Sequence, residues 1–527
     1  MSSSPFSPAF DSLVGKSLER WHIPGVSFSV VLGENTWSKG YGYAQQSPRK
    51  AVEPSTLFYV ASTTKAHLCA AWAIYIASSA NTGKPKDQQI SFSTPLAEII
   101  REDFVLADPV RTTQLTIEDA CSHRTGLPPH ELSYGFGDTT TVKGVTRSLR
   151  HLPPHNELRA EFEYCNTPFI AASYALEMVT GKPLGQYMRE VLWAPLGMKH
   201  TYAGYDEASK AIEKGGRIIA KGSTWSRLPT DTHDAAGHLV EEKYYMNLSG
   251  VSGAGYVIST AEDYTKWMRC WLRPASGPLA QTMIQELWTP RTIIPPDGKD
   301  NAPFNGVSTY GLGWFISNYQ AHKLYWHPGS LIGAGSLILL VPDIDWGLTL
   351  HTNGHDGSAK LEGLAMEVLD HALGIPEAER TALRRTDDAL LDDYREMVHT
   401  YTTARSRLYP TAPATPNIPL PVRTEEYAGT YRNVTYGPLN FTASLSNKDI
   451  GDRLVCGMRD RTWESLLVLE HVNAQYWLAT ITRARSPLKT ALRAESRLGV
   501  DGRVEAIGVA MEPSLPDEIF WFDKVYS

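Results

Sequence analysis

Ser62-Thr63-Thr64-Lys65-Ala66-His67-Leu68-Cys69-Ala70-Ala71-Trp72-Ala73-Ile74-Tyr75-Ile76-Ala77 is an apolar run without Gly or Pro, headed by a serine and a lysine three positions apart. A segment apolar on every side predicts a buried core helix, and this one is too short to cross a bilayer. Thr56-Leu57-Phe58-Tyr59-Val60 ahead of it reads as an extended approach. Ser62 therefore falls at or near a helix N-terminus, where backbone N–H groups and the dipole favour negative charge. Residues three apart on a helix share a face, so the hydroxyl and the amine can meet. A serine is a weak nucleophile until a neighbouring base takes its proton, and a lysine becomes such a base when burial disfavours its charged form. These residues suffice for acyl chemistry with no metal and no cofactor. The same spacing recurs at Ser47-Pro48-Arg49-Lys50 and Ser486-Pro487-Leu488-Lys489, in Pro- and charge-rich surroundings that read as surface loops.

The chain of 527 residues is long enough for one very large domain or two to three ordinary ones, and 42% hydrophobic with 20% charged residues is a globular balance. A net charge of -7 gives no general attraction for nucleic acid or for an anionic membrane. Five scattered cysteines, none in a Cys-x-x-Cys pair, suit reduced thiols better than a disulfide framework. The first residues show no basic segment leading into an apolar core, and no membrane-spanning run follows. The expectation is a cytoplasmic protein.

Residues 25–32 and 36–44 around Gly33-Glu34-Asn35 predict a hairpin, helical patterns dominate from 62 to about 200, and strands return between about 250 and 350. The clearest are Gly335–Pro342 and Trp346–Asn353. Strands at both ends with helices between predict an α+β sheet assembled from distant parts of the chain. Residues 376–402 are charged and helical, and the Pro-rich stretch from Tyr409 to Pro421 reads as a semi-rigid linker. Beyond it, short alternating segments and the tight turn Val500-Asp501-Gly502-Arg503 predict a small β-barrel or sandwich. The expected division is 1–402, a linker over 403–422, and 423–527.

Three further pieces follow Ser62 in order: Ser122-His123-Arg124-Thr125-Gly126 at a helix end, Tyr164-Cys165-Asn166 opening a helix, and His327-Pro328-Gly329-Ser330 entering an apolar strand. Tyr-x-Asn also occurs at Tyr245-Met246-Asn247 and Tyr431-Arg432-Asn433, and His-x-Gly at His355-Asp356-Gly357, so single pieces carry little and the order carries the weight. The ordered set resembles the serine β-lactamase and penicillin-binding-protein superfamily, in the branch of class C β-lactamases, D-amino-acid peptidases, related esterases and acyltransferases. Pro195-Leu196-Gly197-Met198, Gly253-Ala254-Gly255-Tyr256 and Tyr310-Gly311-Leu312-Gly313-Trp314 add to it, over roughly residues 10–370. The resemblance implies an antiparallel sheet flanked by helices with a helical subdomain. Tyr427-Ala428-Gly429-Thr430-Tyr431 with the strands after it resembles an appended lipocalin-like barrel.

In that resemblance Ser62 forms an acyl-enzyme, Lys65 and Tyr164 share the proton transfers, and Asn166 orients Lys65 or holds a substrate amide. The backbone N–H groups of Ser62 and Ser330 form an oxyanion hole, typically worth about 3 kcal/mol per donor. His327 and Gly329 line the substrate site. Where a β-lactamase has a cationic Lys followed by Thr, this chain has His327, only partly protonated near neutrality, and Pro328, with neither hydroxyl nor N–H. The handle for a penicillin carboxylate is thereby weakened. The expected substrate is a small-molecule ester, thioester or amide, hydrolysed in secondary metabolism. Transfer of the acyl group to an alcohol or amine is the alternative, and a non-catalytic binding protein on the same fold the second. His151-x-x-x-His155 and His351-x-x-x-His355 lie across prolines and a strand end and make no helical metal pair. Oligomeric state is not legible.

Overall fold

The computed structural model describes residues 4–227, 237–242, 246–295, 303–444, 453–484 and 486–526. Among these, nine strands form one antiparallel sheet. Its order is Arg49–Ala51, Asn35–Gln46, Gly25–Leu32, Trp346–Thr352, Ala334–Val341, His322–Leu331, Phe315–Tyr319, Asn305–Tyr310 and Thr292–Ile293. The predicted hairpin forms one side, and its first strand pairs with Trp346–Thr352 from far along the chain, with Val26 opposite Thr352 and Leu32 opposite Trp346. The strand Ala334–Val341 is buried along its whole length. Its side chains alternate between two cores, as the period of two requires. Leu337, Leu339 and Val341 pack with Phe10, Phe28, Leu361 and Leu364 on one face, and Ile338 and Leu340 pack with Trp72, Trp267 and Met268 on the other.

The first face is covered by helices Pro8–Arg20 and Gly357–Ala372, the latter backed by Ala382–Thr402. The second carries the helical half of the molecule, including Thr64–Ala77 and Asn166–Thr180. Thr64–Ala77 is buried from Thr64 through Ala73, which explains an apolar composition on all sides of one helix.

At the C-terminus eight described strands, from Gly429–Asn433 to Phe520–Lys524, close into an antiparallel barrel. The first and last strands pair at Tyr431–Lys524 and Arg432–Asp523. Tyr431, Phe441, Leu467, Leu469, Trp477 and Phe522 are buried among others in the barrel, which is packed with side chains. The expected turn at 500–503 is present, with Gly502 at φ +78°.

The stretch read as a linker is tied down. Helix Ala404–Leu408 opens it. The Arg405 guanidinium donates to the Val472 carbonyl (2.9 Å), and the amides of Asn417 and Ile418 donate to Asn473 Oδ1 (3.0 and 2.9 Å). The Tyr409 hydroxyl donates to the Trp477 carbonyl at 2.6 Å and accepts from the Ala494 amide at 2.9 Å. The two other Ser-x-x-Lys copies differ from each other. Arg49–Ala51 is an exposed edge strand, whereas Ser486 is buried against His355, 3.4 Å from Nε2, and so is no surface loop residue. Replacing Tyr409 by Phe orphans the Ala494 amide, and should lower unfolding free energy by about 1–3 kcal/mol in chemical denaturation while leaving Ser62 reactive.

Candidate active site

Ser62 sits in the single 3-10 turn Ala61–Thr63 that runs directly into helix Thr64–Ala77. The turn is strained, with Ala61 in the left-handed region at φ +48°, and its surroundings over-determine it. The Val60 carbonyl accepts from Ser336 Oγ (2.6 Å) and Thr63 Oγ1 (2.9 Å), and the Val60 amide donates to the Val257 carbonyl (3.0 Å).

Lys65 is fully buried. Its Nζ lies 3.1 Å from Ser62 Oγ, 2.8 Å from Asn166 Oδ1 and 3.1 Å from the Ala254 carbonyl. A neutral amine has two N–H bonds and one lone pair. The ammonium donates to all three oxygens; once it is neutral, the Asn166 and Ala254 oxygens can accept its two N–H bonds and leave the lone pair for Ser62. Burial lowers the Lys65 pKa from 10.5 to about 7, opposed by the nearby Glu131 charge. The amine is thus available as a proton acceptor near neutrality.

Burial pushes the Tyr164 phenol's pKa up, opposed by the nearby Ser62 hydroxyl, so it remains a proton donor through the alkaline range. Its ring faces Lys65 Nζ, 4.8 Å from the centroid. Behind it the His123 ring packs at 4.1 Å, flanked by Phe169 at 4.9 Å and Tyr310 at 4.8 Å. His123 Nδ1 accepts from the Cys165 amide at 3.1 Å, which ties this ring to the start of the Asn166 helix. Burial, then repulsion from Lys65, holds His123 well below the usual histidine range.

The strand His322–Leu331 passes beside the turn that carries Ser62. A Cβ on Gly329 would lie 2.5 Å from the Val60 carbonyl and 2.4 Å from Ser336 Oγ, so only glycine lets the strand approach. Ser330, the next residue, has an exposed side chain. His327 differs from the expectation of partial protonation. It is buried and held neutral, its pKa lowered to about 3 by burial first and by the Lys65 charge second. Its Nδ1 meets the Pro328 carbonyl at 2.6 Å and its Nε2 meets the Tyr310 hydroxyl at 2.9 Å. Both nitrogens are engaged within the protein. Asn166 is likewise used at both ends, with Nδ2 donating to Glu131 Oε1 at 3.1 Å.

The beta-lactamase family profile matches residues 10–373. The chain belongs to the beta-lactamase family. An unguisins hydrolase of Aspergillus campestris is 33% identical, over 99% of this chain and 93% of its own length. A second unguisins hydrolase, from Aspergillus violaceofuscus, is 32% identical over 98% and 90%. Among solved structures, the octameric penicillin-binding protein homologue from Pyrococcus abyssi superposes with a TM-score of 0.59 at 17% identity, covering 98% of this chain and 99% of that one. The D-amino acid amidase from Ochrobactrum anthropi gives 0.54 at 23% identity, over 69% and 98%. These two show the shared fold, the first of them through the barrel as well. With the family membership, this is a β-lactamase-family serine hydrolase.

Sequence reasoning quoted His123 without a role and did not find Glu131 or Arg483. The buried His123 ring was signalled only by its place in Ser122–Gly126, and Glu131 by nothing local. Among the described residues no three His, Cys, Asp or Glu side chains converge as a metal cluster. His351 Nε2 meets Thr349 Oγ1 at 3.1 Å instead. Gly329→Ala should slow labelling of Ser62 by a fluorophosphonate and lower the melting temperature, because its Cβ forces the strand away from Val60 and Ser336. Unchanged labelling would show that this close approach is unimportant.

Proposed function

We propose that the protein hydrolyses an ester, thioester or amide of a small metabolite through a Ser62 acyl-enzyme. The observation that carries this reading is the buried Lys65 amine, 3.1 Å from Ser62 Oγ, with the Asn166 and Ala254 oxygens placed to accept two N–H bonds. Ser62 Oγ attacks the acyl carbon while its proton passes to Lys65 Nζ. The carbonyl oxygen becomes an oxyanion facing the backbone N–H groups of Ser62 and Ser330. The bond to the leaving group then breaks. The leaving group takes the Tyr164 proton, and Tyr164 regains one from the Lys65 ammonium. Water repeats the sequence in reverse and frees the acid. Asn166 orients Lys65, since neither end of its amide is left for a substrate.

The full-length relatives named for unguisins make an unguisin the first metabolite to assay. Five free thiols suit a reducing, cytosolic setting. Among the described residues no helix is long and apolar enough to cross a membrane. Hydrolysis and acyl transfer share the acyl-enzyme, and product analysis in water against an added alcohol or amine separates them.

Ser62→Ala should reduce turnover of unguisin and of p-nitrophenyl acetate at least about 10³-fold. Residual activity near wild type would refute the acyl-enzyme. Penicillin should be hydrolysed more slowly than p-nitrophenyl acetate, because the neutral His327 presents no free nitrogen to a carboxylate and Pro328 has no N–H to offer.

A further inference from the structure

The catalytic half meets the barrel through a short strap that carries Glu131. His130 adopts φ +46°. The His130 amide donates to Glu512 Oε2 at 2.7 Å, and its Nδ1 lies 2.7 Å from the Tyr436 hydroxyl. Beyond Glu131, the Tyr134 carbonyl accepts from the Thr462 amide at 3.3 Å, and its hydroxyl accepts from Trp463 Nε1 at 3.3 Å. Gly135, at φ +105°, lies so close that a Cβ would come within 2.0 Å of the Thr462 nitrogen. Glu512, Tyr436, Thr462 and Trp463 all lie in the C-terminal barrel region. Barrel residues thus grip the strap on both sides of Glu131.

Glu131 itself bridges the two halves. Oε1 accepts from Asn166 Nδ2 at 3.1 Å, and Oε2 accepts from Arg483 Nη2 at 2.6 Å. Arg483, on the strand Tyr476–Arg483, also lies over the Trp463 ring at 5.5 Å. A continuous line runs from Arg483 to Glu131, Asn166, Lys65 and Ser62. The two ends of the Asn166 amide are fixed by what faces them: Glu131 needs the NH2 group, so the oxygen is turned to Lys65.

We propose that Arg483 of the barrel is a positioning residue for the Ser62 site, acting through Glu131 and Asn166 on Lys65. This rests on the reading of Lys65 as the base. Arg483 holds Glu131 against Asn166 and counters the field that Glu131 casts on the amine. The groups facing Lys65 are Cys69 on its own helix, Tyr164 and Cys165 before the Asn166 helix, His123, His327 and Glu131. Burial raises the pKa values of the two thiols and of Tyr164 and lowers those of the two histidines, so all five remain neutral near pH 7. Glu131 is the acidic side chain of the set, and Arg483 is its counter-ion.

The test is the rate of Ser62 labelling by a fluorophosphonate between pH 5 and 9.5, measured on the full chain. Wild type should rise through a midpoint near 7. Arg483→Gln leaves the Glu131 charge uncompensated, so Lys65 holds its proton more tightly and the midpoint moves up. Labelling at pH 6.5 then falls several-fold, approaching tenfold for a shift of one unit. Glu131→Gln moves the midpoint down, and Arg483→Lys keeps it close to wild type. An unmoved midpoint in Arg483→Gln, or shifts of the same sign in Arg483→Gln and Glu131→Gln, overturns the proposal. A lowered melting temperature with an unmoved midpoint assigns Arg483 a structural role and overturns it too. If Arg483→Gln does not fold, Glu131→Gln decides alone: a downward shift supports the proposal and an unmoved midpoint overturns it. Failure of the underlying reading looks different, because wild type itself would then show no Ser62-dependent labelling or no rise with pH.

Discussion

Burial of one amine against one hydroxyl is the constraint on which the rest depends. In water Lys65 would be charged and useless as a base. Within the helical core, burial brings the neutral form into the range near pH 7, where a carbonyl and an amide oxygen can accept its two N–H bonds and leave the lone pair for Ser62. Such a group destabilises the fold wherever it is protonated, so the surrounding packing has to offset it. The helix buried from Thr64 through Ala73, the clamped turn at Val60 and the aromatic cluster of His123, Tyr164, Phe169 and Tyr310 supply that packing.

The large sheet serves the site by bringing one strand against the turn that carries Ser62. Gly329 is the point of contact, and Ser336 on the neighbouring strand bonds the Val60 carbonyl from beneath. The barrel serves it from the other side. Its interior is packed with side chains, and the strap at 130–135 is held onto it by His130, Tyr134 and Gly135. The two supports meet the site at different atoms, the strand at the backbone beside Ser62 and the barrel, through Glu131, at the side chain of Asn166.

Much of this was legible in the sequence because it depends on local pattern. The apolar run from Ala66 to Ala77 could only be a buried helix, and the spacing of Ser62 and Lys65 placed both on one face. The hairpin at 25–44 and the strand before Pro342 followed from alternation and turn residues. The family resemblance ordered the remaining pieces and set a barrel at the end. What escaped was determined by contacts between distant residues. Glu131 and Arg483 are 352 positions apart, and neither lies in a motif. The neutrality of His327 follows from burial and from partners at Tyr310 and Pro328, which a His-Pro-Gly triplet does not disclose. The Pro-rich segment read as a semi-rigid linker, and composition does not reveal that Tyr409 and Asn417 bond to barrel strands.

The central claim concerns the protonation state of a single side chain. Titration of the 13Cε resonance of Lys65 in lysine-labelled protein, assigned by its loss in Lys65→Met, reads that state without any substrate. The account predicts an apparent pKa near 7. A resonance that stays in the ammonium position up to pH 10 would contradict it.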